Sequence, residues 1–398
     1  MDRANVPKSP LPHVTTHQAV VMAARLFDLQ VTAVEDLSSF DDKNFYMRGT
    51  LKAQEERNVL PSNKEFILKI ANEVDSSDEC FIATQLGVMT FLNARGFKCS
   101  TPVPSVLGTP YVMCKIPRRD YPGVIALETN GVHRAAEIYN GEAYSEDVFI
   151  VCAVRLLNYV PGKVLKQTSL SNKVLFEVGK AVGRMNRELK EFECQTLSRP
   201  DFLWDMSRAG DAVEEYLEAV SENHYIEMVQ EICHNFRKEV LPKLHLLPKQ
   251  LIHGDLNQGN ILILPSENGK IAHDIGFIDF GFLNYSCRIF DVAVALMHIL
   301  NEDVNLELSF GRIRMAKYFL NGYHSVNPLS NEEISLLPVL VISRFCQSLV
   351  YRTYLSKPVN PDDKMDLAIR NGWKNLEVLW KIPREEILNT WSQVNDEN

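Results

Sequence analysis

LIHGDLNQGNILI (residues 251–263) places a charged and amide-rich core, His253 to Asn260, between two aliphatic runs. Polar groups packed that densely beside apolar strands cost desolvation free energy unless they are paired or used. The chain downstream shows what they serve. NILIL leads into PSENGK and then into IAHDIGFIDFG, which ends at Gly281. Asn268-Gly269 between two apolar runs signals a hairpin, because both residues tolerate positive φ. Asn260 lies eight residues before Asn268, and Asp279 lies ten after Gly269. Folding there returns both to one open end, within a residue or two of register. Asp255 stands five residues before Asn260, in the loop that feeds the hairpin. Oxygen donors converging at an open end suit a hard cation such as Mg²⁺, which keeps waters and accepts phosphate oxygens. Each of the three taken singly reads as a turn-forming residue; gathered by an independent hairpin signal, they read as a site.

Upstream, THQAVVMAARLF (16–27) has helical apolar spacing, and VTAVEDL, NFYMRGTL and EFILKIA read as three strands. DECFIATQLGVMTFLNARG (78–96) reads as a helix stopped by Gly96. TPVPSVLG and DVFIVCAVRLLNYV suggest two more strands, with a polar, irregular insertion over 117–147 between them. Beyond Pro161-Gly162 the pattern turns helical, over 171–190, 208–239, 288–301, 308–322, 331–355 and 363–379. The expected fold is α+β. It has a flexible arm (1–14), a β-rich N-terminal lobe (15–157) that includes the insertion, and a mainly helical C-terminal lobe (158–398) that holds the 251–281 segment.

HGDLNQGNILI followed by FIDFG resembles the small-molecule kinases of the aminoglycoside-phosphotransferase and choline-kinase-like superfamily. It shares an Asp-x-x-x-x-Asn spacing and a D-F-G with protein kinases. The resemblance spans roughly residues 30–380 and implies a protein kinase-like bilobal fold. It implies that Asp255 orients the acceptor hydroxyl and takes its proton, and that Asn260 and Asp279 hold Mg²⁺ on the nucleotide's phosphates. His253 then shapes the loop, and Asp291, in SCRIFDVAVAL, caps the next helix or braces the loop.

Lys69 sits on the third strand, on the face of Ile67 and Ala71, where a lysine needs an anionic partner. A surface strand lysine is the plain alternative; the catalytic loop favours a phosphate ligand. Counting along the helix by family spacing places Gln85 where protein kinases carry a glutamate, and Glu79 falls on another face. SSFDDKN (38–44) occupies the place of the phosphate-covering loop but has no glycine. Ser38 and Ser39 are its candidate phosphate donors, with a plain hairpin loop as the alternative. VRLLNYVPG (154–162) reads as the inter-lobe hinge, with purine recognition by backbone near Leu157, Asn158 and Tyr159. Such recognition does not separate GTP from ATP.

Acceptor recognition is expected in the helical lobe. Trp204 and Asp205 could hold an amine, and Arg344 or Arg352 a carboxylate. RLLNYVPGK, FLWDM and SRFCQSLVYR, taken with the catalytic segments, most resemble the hydroxylysine kinase branch of the superfamily, which is akin to homoserine kinase type II. That resemblance implies GTP as phosphate donor and 5-hydroxy-L-lysine as acceptor. The alternatives are another hydroxylated amine (an aminoglycoside, choline or homoserine) or a non-catalytic kinase-like binding protein.

Composition agrees with an ordinary soluble globular protein. The 398 residues suffice for two lobes, with 45% hydrophobic and 23% charged residues. The net charge of −9 and the lack of any Lys/Arg-rich run argue against a nucleic-acid partner. No apolar run reads as a membrane span and MDRANVPKSP has no signal-peptide core. Eight scattered cysteines without a C-x-x-C pair fit reduced thiols, so the cytosol is the expected compartment.

Overall fold

A computed structural model of the chain describes residues 12–39, 41–52, 64–117, 126–127, 149–194, 197, 199, 202–265, 274–301, 306–356 and 367–392. The chain divides into two compact units, Met1–Pro161 and Gly162–Asn398. The division falls four residues after the expected 157, because strand pairing carries the chain further into the first unit. There Asn158 N–H donates to the Thr101 carbonyl and Tyr159 N–H to the Glu65 carbonyl.

The first unit opens with helix α1 (Thr16–Phe27), started by a Thr15–Gln18 capping box. Val14, inside the arm expected over 1–14, is buried in the core; residues 1–11 lie outside the described residues. Strands β1 (Leu29–Leu37), β2 (Lys43–Leu51) and β3 (Lys64–Ile70) follow, then a one-turn helix α2 (Glu73–Ser76) and helix α3 (Glu79–Ala94). Gly96 ends α3 at φ 84°, as its placement predicted. β4 (Val112–Pro117) and β5 (Phe149–Asn158) complete an antiparallel sheet in the order β1-β2-β3-β5-β4. Phe66, Leu68 and Ile70 alternate onto the face that buries Met22, Leu26 and Phe27 of α1.

Two expectations change here. In TPVPSVLG only Pro102–Val103 pairs with the sheet, since Pro104, which follows, cannot donate to a ladder; the full strand is β4. Within the expected insertion, Ala126–Leu127 pairs with Lys115 and Cys114, so part of it is strand rather than irregular. The rest of 118–147 lies outside the described residues.

The second unit is mainly helical: α4 (Asn172–Leu189), α5 (Ala209–Glu215), α6 (Asn223–Glu239), α7 (Ile289–Leu300), α8 (Leu306–His324), α9 (Asn331–Leu355), α10 (Leu367–Lys381) and α11 (Arg384–Ser392). The single helix expected over 208–239 is broken in two, because the chain turns extended at Val220 to bury it. α4 and α8 cross closely enough that a Cβ at Gly179 or Gly322 would lie 1.9 Å from a carbonyl oxygen of the facing helix. By length and composition α9 could cross a bilayer, contrary to the sequence reading. Most of its apolar window is buried inside the fold, so it is a core helix.

Between α6 and α7 lie the short strands β6 (Lys249–Ile252), β7 (Ile261–Ile263), β8 (Ile275–Phe277) and β9 (Asn284–Cys287). β6 pairs with β9 and β7 with β8, both antiparallel. These two ribbons place the site.

Candidate active site

β7 and β8 pair Ile261 with Phe277, so Asn260 faces Ile278, whose N–H donates to the Asn260 carbonyl at 3.0 Å. Asp279 follows directly. The register predicted from Asn268-Gly269 therefore holds, although the turn itself lies outside the described residues. Asp255 joins the same end: Asn260 Nδ2 donates to its Oδ2 at 2.8 Å and to its carbonyl at 2.9 Å. With its NH₂ committed to Asp255, Asn260 keeps its amide oxygen for another partner. Asn257 Nδ2 gives Oδ2 of Asp255 a second hydrogen bond at 2.8 Å.

The loop is held from behind. Asp291, fully buried at the start of α7, accepts from the N–H of His253 at 3.0 Å and of Gly254 at 2.8 Å. It therefore braces the loop. His253 is buried too; its Nδ1 accepts from Asp255 N–H at 3.3 Å and its Nε2 lies 3.1 Å from the Ile278 carbonyl. These contacts select the tautomer protonated on Nε2, and burial lowers the pKa, so the imidazole is neutral. Gly254 sits at φ 78°, where a Cβ would come within 2.2 Å of the Phe282 carbonyl oxygen, so only glycine fits. Gln258 Nε2 ties the loop to the His298 carbonyl on α7 at 2.8 Å.

Burial, the largest influence, raises the pKa of Asp255; the charge of Arg344 opposes it most. Asp279 is in the left-handed region at φ 60°, a conformation costing a non-glycine residue about 1–2 kcal/mol. Backbone strain of this kind gathers at functional sites. Asn260 and Asp279 together offer an amide and a carboxylate oxygen. No group of three His, Cys, Asp or Glu side chains able to hold a metal occurs among the described residues. Two hard ligands, completed by water and phosphate oxygens, fit Mg²⁺ rather than an all-protein cage.

In the first unit Lys69 is 6% exposed and its Nζ lies 3.0 Å from Oδ2 of Asp42. Asp42 also accepts from N–H and Nδ2 of Asn72, at 3.0 and 3.1 Å. Arg155, next to Lys69 across the β3–β5 ladder and 2% exposed, stands 3.9 Å from the same Asp42 oxygen. It donates to Oε1 of Gln85. The buried acid that sequence reasoning sought on α3 is thus supplied by the β1–β2 loop. Asp42 and Arg155 were both missed; a charged residue inside the apolar run VCAVRLLN was the available signal.

Of the serines, Ser38 is exposed, and Ser39 Oγ donates to the Asp42 carbonyl, shaping the loop. At the hinge, the N–H groups of Asn158 and Tyr159 are already committed to Thr101 and Glu65. A purine edge cannot take those two donors while the strand stays paired. Leu157 is buried between Ile67 and Pro102.

Three of the four acceptor candidates come together. The Arg344 guanidinium lies 4.6 Å over the Trp204 ring and donates to its carbonyl at 3.2 Å. Trp204 stacks on Phe282 at 5.4 Å. Asp205 is adjacent, but its carboxylate already accepts from Ser207 N–H and Oγ and from Ser286 Oγ. Its role in the structure is to cap a helical turn, which corrects the reading of it as a free amine anchor. Arg352 is exposed and outside this cluster. Trp204, Asp205, Ile252, Gly254, Phe282 and Asn284 line a small cavity beside the loop.

A model of the phosphotransferase enzyme family matches residues 53–329, which include Lys69, the loop and the Asp279 turn. The chain belongs to that family. It is similar to a hydroxylysine kinase of Mus musculus, 30% identical over 395 residues, covering 96% of this chain and 94% of the relative. A hydroxylysine kinase of Bos taurus is 28% identical, covering 96% and 93%. Among solved structures, an amicoumacin kinase matches with a TM-score of 0.61 at 16% identity, covering 94% of both chains. The fold is the kinase-like α+β fold of these enzymes. The phosphotransferase acts on a small molecule that carries a hydroxyl group.

Proposed function

We propose that this phosphotransferase moves the γ-phosphate of GTP to the hydroxyl of 5-hydroxy-L-lysine, giving GDP and 5-phosphooxy-L-lysine. The observation that carries this reading is the near full-length similarity to hydroxylysine kinases, in a chain with an intact Asp255–Asn260–Asp279 set. The acceptor hydroxyl donates a hydrogen bond to Asp255, and its oxygen attacks the γ-phosphorus. The bond from the γ-phosphorus to the β–γ bridging oxygen breaks, GDP departs, and the hydroxyl proton passes to Asp255. Asn260 and Asp279 would hold Mg²⁺, which would supply positive charge against the phosphate oxygens. Lys69 contributes positive charge to the phosphates and exchanges its Asp42 partner for them in part. Asn260 and Asn257 fix the Asp255 carboxylate so that the oxygen they leave uncommitted meets the acceptor.

Cys99, Cys114, Cys233, Cys287 and Cys346 are free and buried, in keeping with a reducing cytosol. A homoserine kinase of Rhizobium etli, 28% identical over 77% of this chain, makes homoserine the next acceptor to consider. The test is GDP or ADP release from GTP or ATP with 5-hydroxylysine, homoserine, choline and an aminoglycoside. Fastest turnover is expected with GTP and 5-hydroxylysine. Activity on choline or an aminoglycoside with none on 5-hydroxylysine would refute the assignment.

A further inference from the structure

Among the described residues, the buried Arg155 and the half-buried Arg288 each stand beside an acid, and the buried Arg344 does not. Arg288 makes a bidentate pair with the fully buried Glu333 at 2.8 Å. Arg155 stands beside Asp42. Arg344, on α9 and 2% exposed, has no carboxylate within ion-pair distance among the described residues. Its Nη1 donates to the neutral carbonyl of Trp204 at 3.2 Å and to Oε1 of Gln347 at 3.0 Å. Its Nε is buried and has no hydrogen-bond partner. A buried guanidinium left unpaired and under-bonded is expensive, so the fold keeps it for something not contained in the chain.

Its position says what. The guanidinium lies on the Trp204 ring, and Trp204 shares a cavity with Gly254, the residue preceding Asp255. Gln347, itself fastened to the Leu203 carbonyl at 2.6 Å, holds the group in place, so its orientation is set before any ligand arrives. A planar fork with a free Nε edge matches a carboxylate better than any other common anion of a small metabolite. Burial pulls the Arg344 pKa down to about 10, and the only charge that opposes this is that of Asp255.

We propose that Arg344 binds the carboxylate of the acceptor, making an amino acid bearing a hydroxyl the preferred substrate over a hydroxylated amine without one. This rests on the phosphotransferase reading of the Asp255 site for its orientation, but the binding itself does not require turnover. The competing role is that of a fixed counter-charge to Asp255. That role affects every acceptor equally and shifts the acid limb of the pH profile.

The test compares acceptors that differ only in the carboxylate. Full-length wild type, Arg344→Gln and Arg344→Lys are assayed with 5-hydroxylysine and with its decarboxylated counterpart, 1,5-diaminopentan-2-ol. Calorimetry with lysine and with cadaverine gives the same comparison without turnover. Wild type should prefer the carboxylated partner of each pair by on the order of 10²-fold, the yield of two charge-assisted hydrogen bonds. Arg344→Gln should raise KM for 5-hydroxylysine by about that factor and leave KM for the decarboxylated acceptor within about threefold, while any loss of kcat from removing the charge near Asp255 falls on both acceptors alike. Arg344→Lys keeps the charge without the fork and should show the same split, less steeply. Equal changes in KM for both acceptors, or a wild type that does not discriminate in binding, would overturn the proposal. If wild type turns over no acceptor yet still binds lysine more tightly than cadaverine in an Arg344-dependent way, the kinase reading fails and the carboxylate site stands.

Discussion

Replacing Asp291 by alanine removes both acceptors that hold the backbone N–H groups of His253 and Gly254. His253 and Asp291 are fully buried and Gly254 is half-buried, so the His253 donor at least would be left without a partner. Stranding a fully buried donor costs about 1–3 kcal/mol, and the half-buried Gly254 donor adds less, so the pair costs about 2–5 kcal/mol. Part of that is offset, because burial disfavours the Asp291 carboxylate itself and raises its pKa. A net loss of about 2–4 kcal/mol is expected. Asp291→Asn keeps one acceptor and should lose roughly half as much. The same two bonds fix the Gly254 peptide that leads into Asp255, and misplacing a base by about 1 Å lowers turnover on the order of 10²-fold. Urea denaturation read beside steady-state kinetics separates the two consequences. The order in both stability and kcat should be wild type, Asn, Ala, with KM for the nucleotide little changed. An alanine variant that loses the stability but keeps kcat within about threefold would refute the claim that Asp291 sets the position of Asp255. Unchanged stability would refute the hydrogen-bond accounting itself.

Asp255→Asn should lower kcat by about 10²–10⁴-fold with nucleotide affinity near wild type, measured by single-turnover kinetics and nucleotide titration. Because burial raises the folded pKa of Asp255, folding disfavours its ionised form. That cost is full above the folded pKa and fades as pH falls toward the unfolded value, so the variant should be the more stable protein at neutral pH, with the gap closing on acidification. In wild type kcat should fall as pH drops through the raised pKa, since a protonated Asp255 accepts no proton. Asp279→Ala should abolish the Mg²⁺ dependence of nucleotide binding and Asn260→Ala weaken it less, an anion being the stronger ligand; titrations with and without Mg²⁺ decide. Lys69→Ala should weaken phosphate binding more than Gln85→Ala, and Asp42→Asn should raise the nucleotide KM because Lys69 is then no longer held in position. A double-mutant cycle on Asp42 and Lys69 that gives no coupling would show the ion pair to be incidental.

The amino-acid sequence by itself determined the local geometry. Strands alternate with period two, so counting from Asn268-Gly269 was enough to bring Asn260 beside Asp279, and the Ile261–Phe277 pairing agrees. Helix α1, read from its apolar spacing, and α3, stopped at Gly96, were legible for the same reason: the signals lie within a few residues of what they control. Chain segments whose course depends on distant burial were not, as with Val220 breaking the 208–239 helix and β4 displacing TPVPSVLG. The partners of buried charges were decided only by tertiary structure. Asp42 meets Lys69 from 27 residues away, and it meets Arg155, on the strand beside that of Lys69, from far along the chain. Asp291 reaches the loop across 37 residues, and Arg344 comes to Trp204 across 140. A charged residue in an apolar run announces that it needs a partner; which one it finds depends on sheet order and helix packing, which local spacing does not encode.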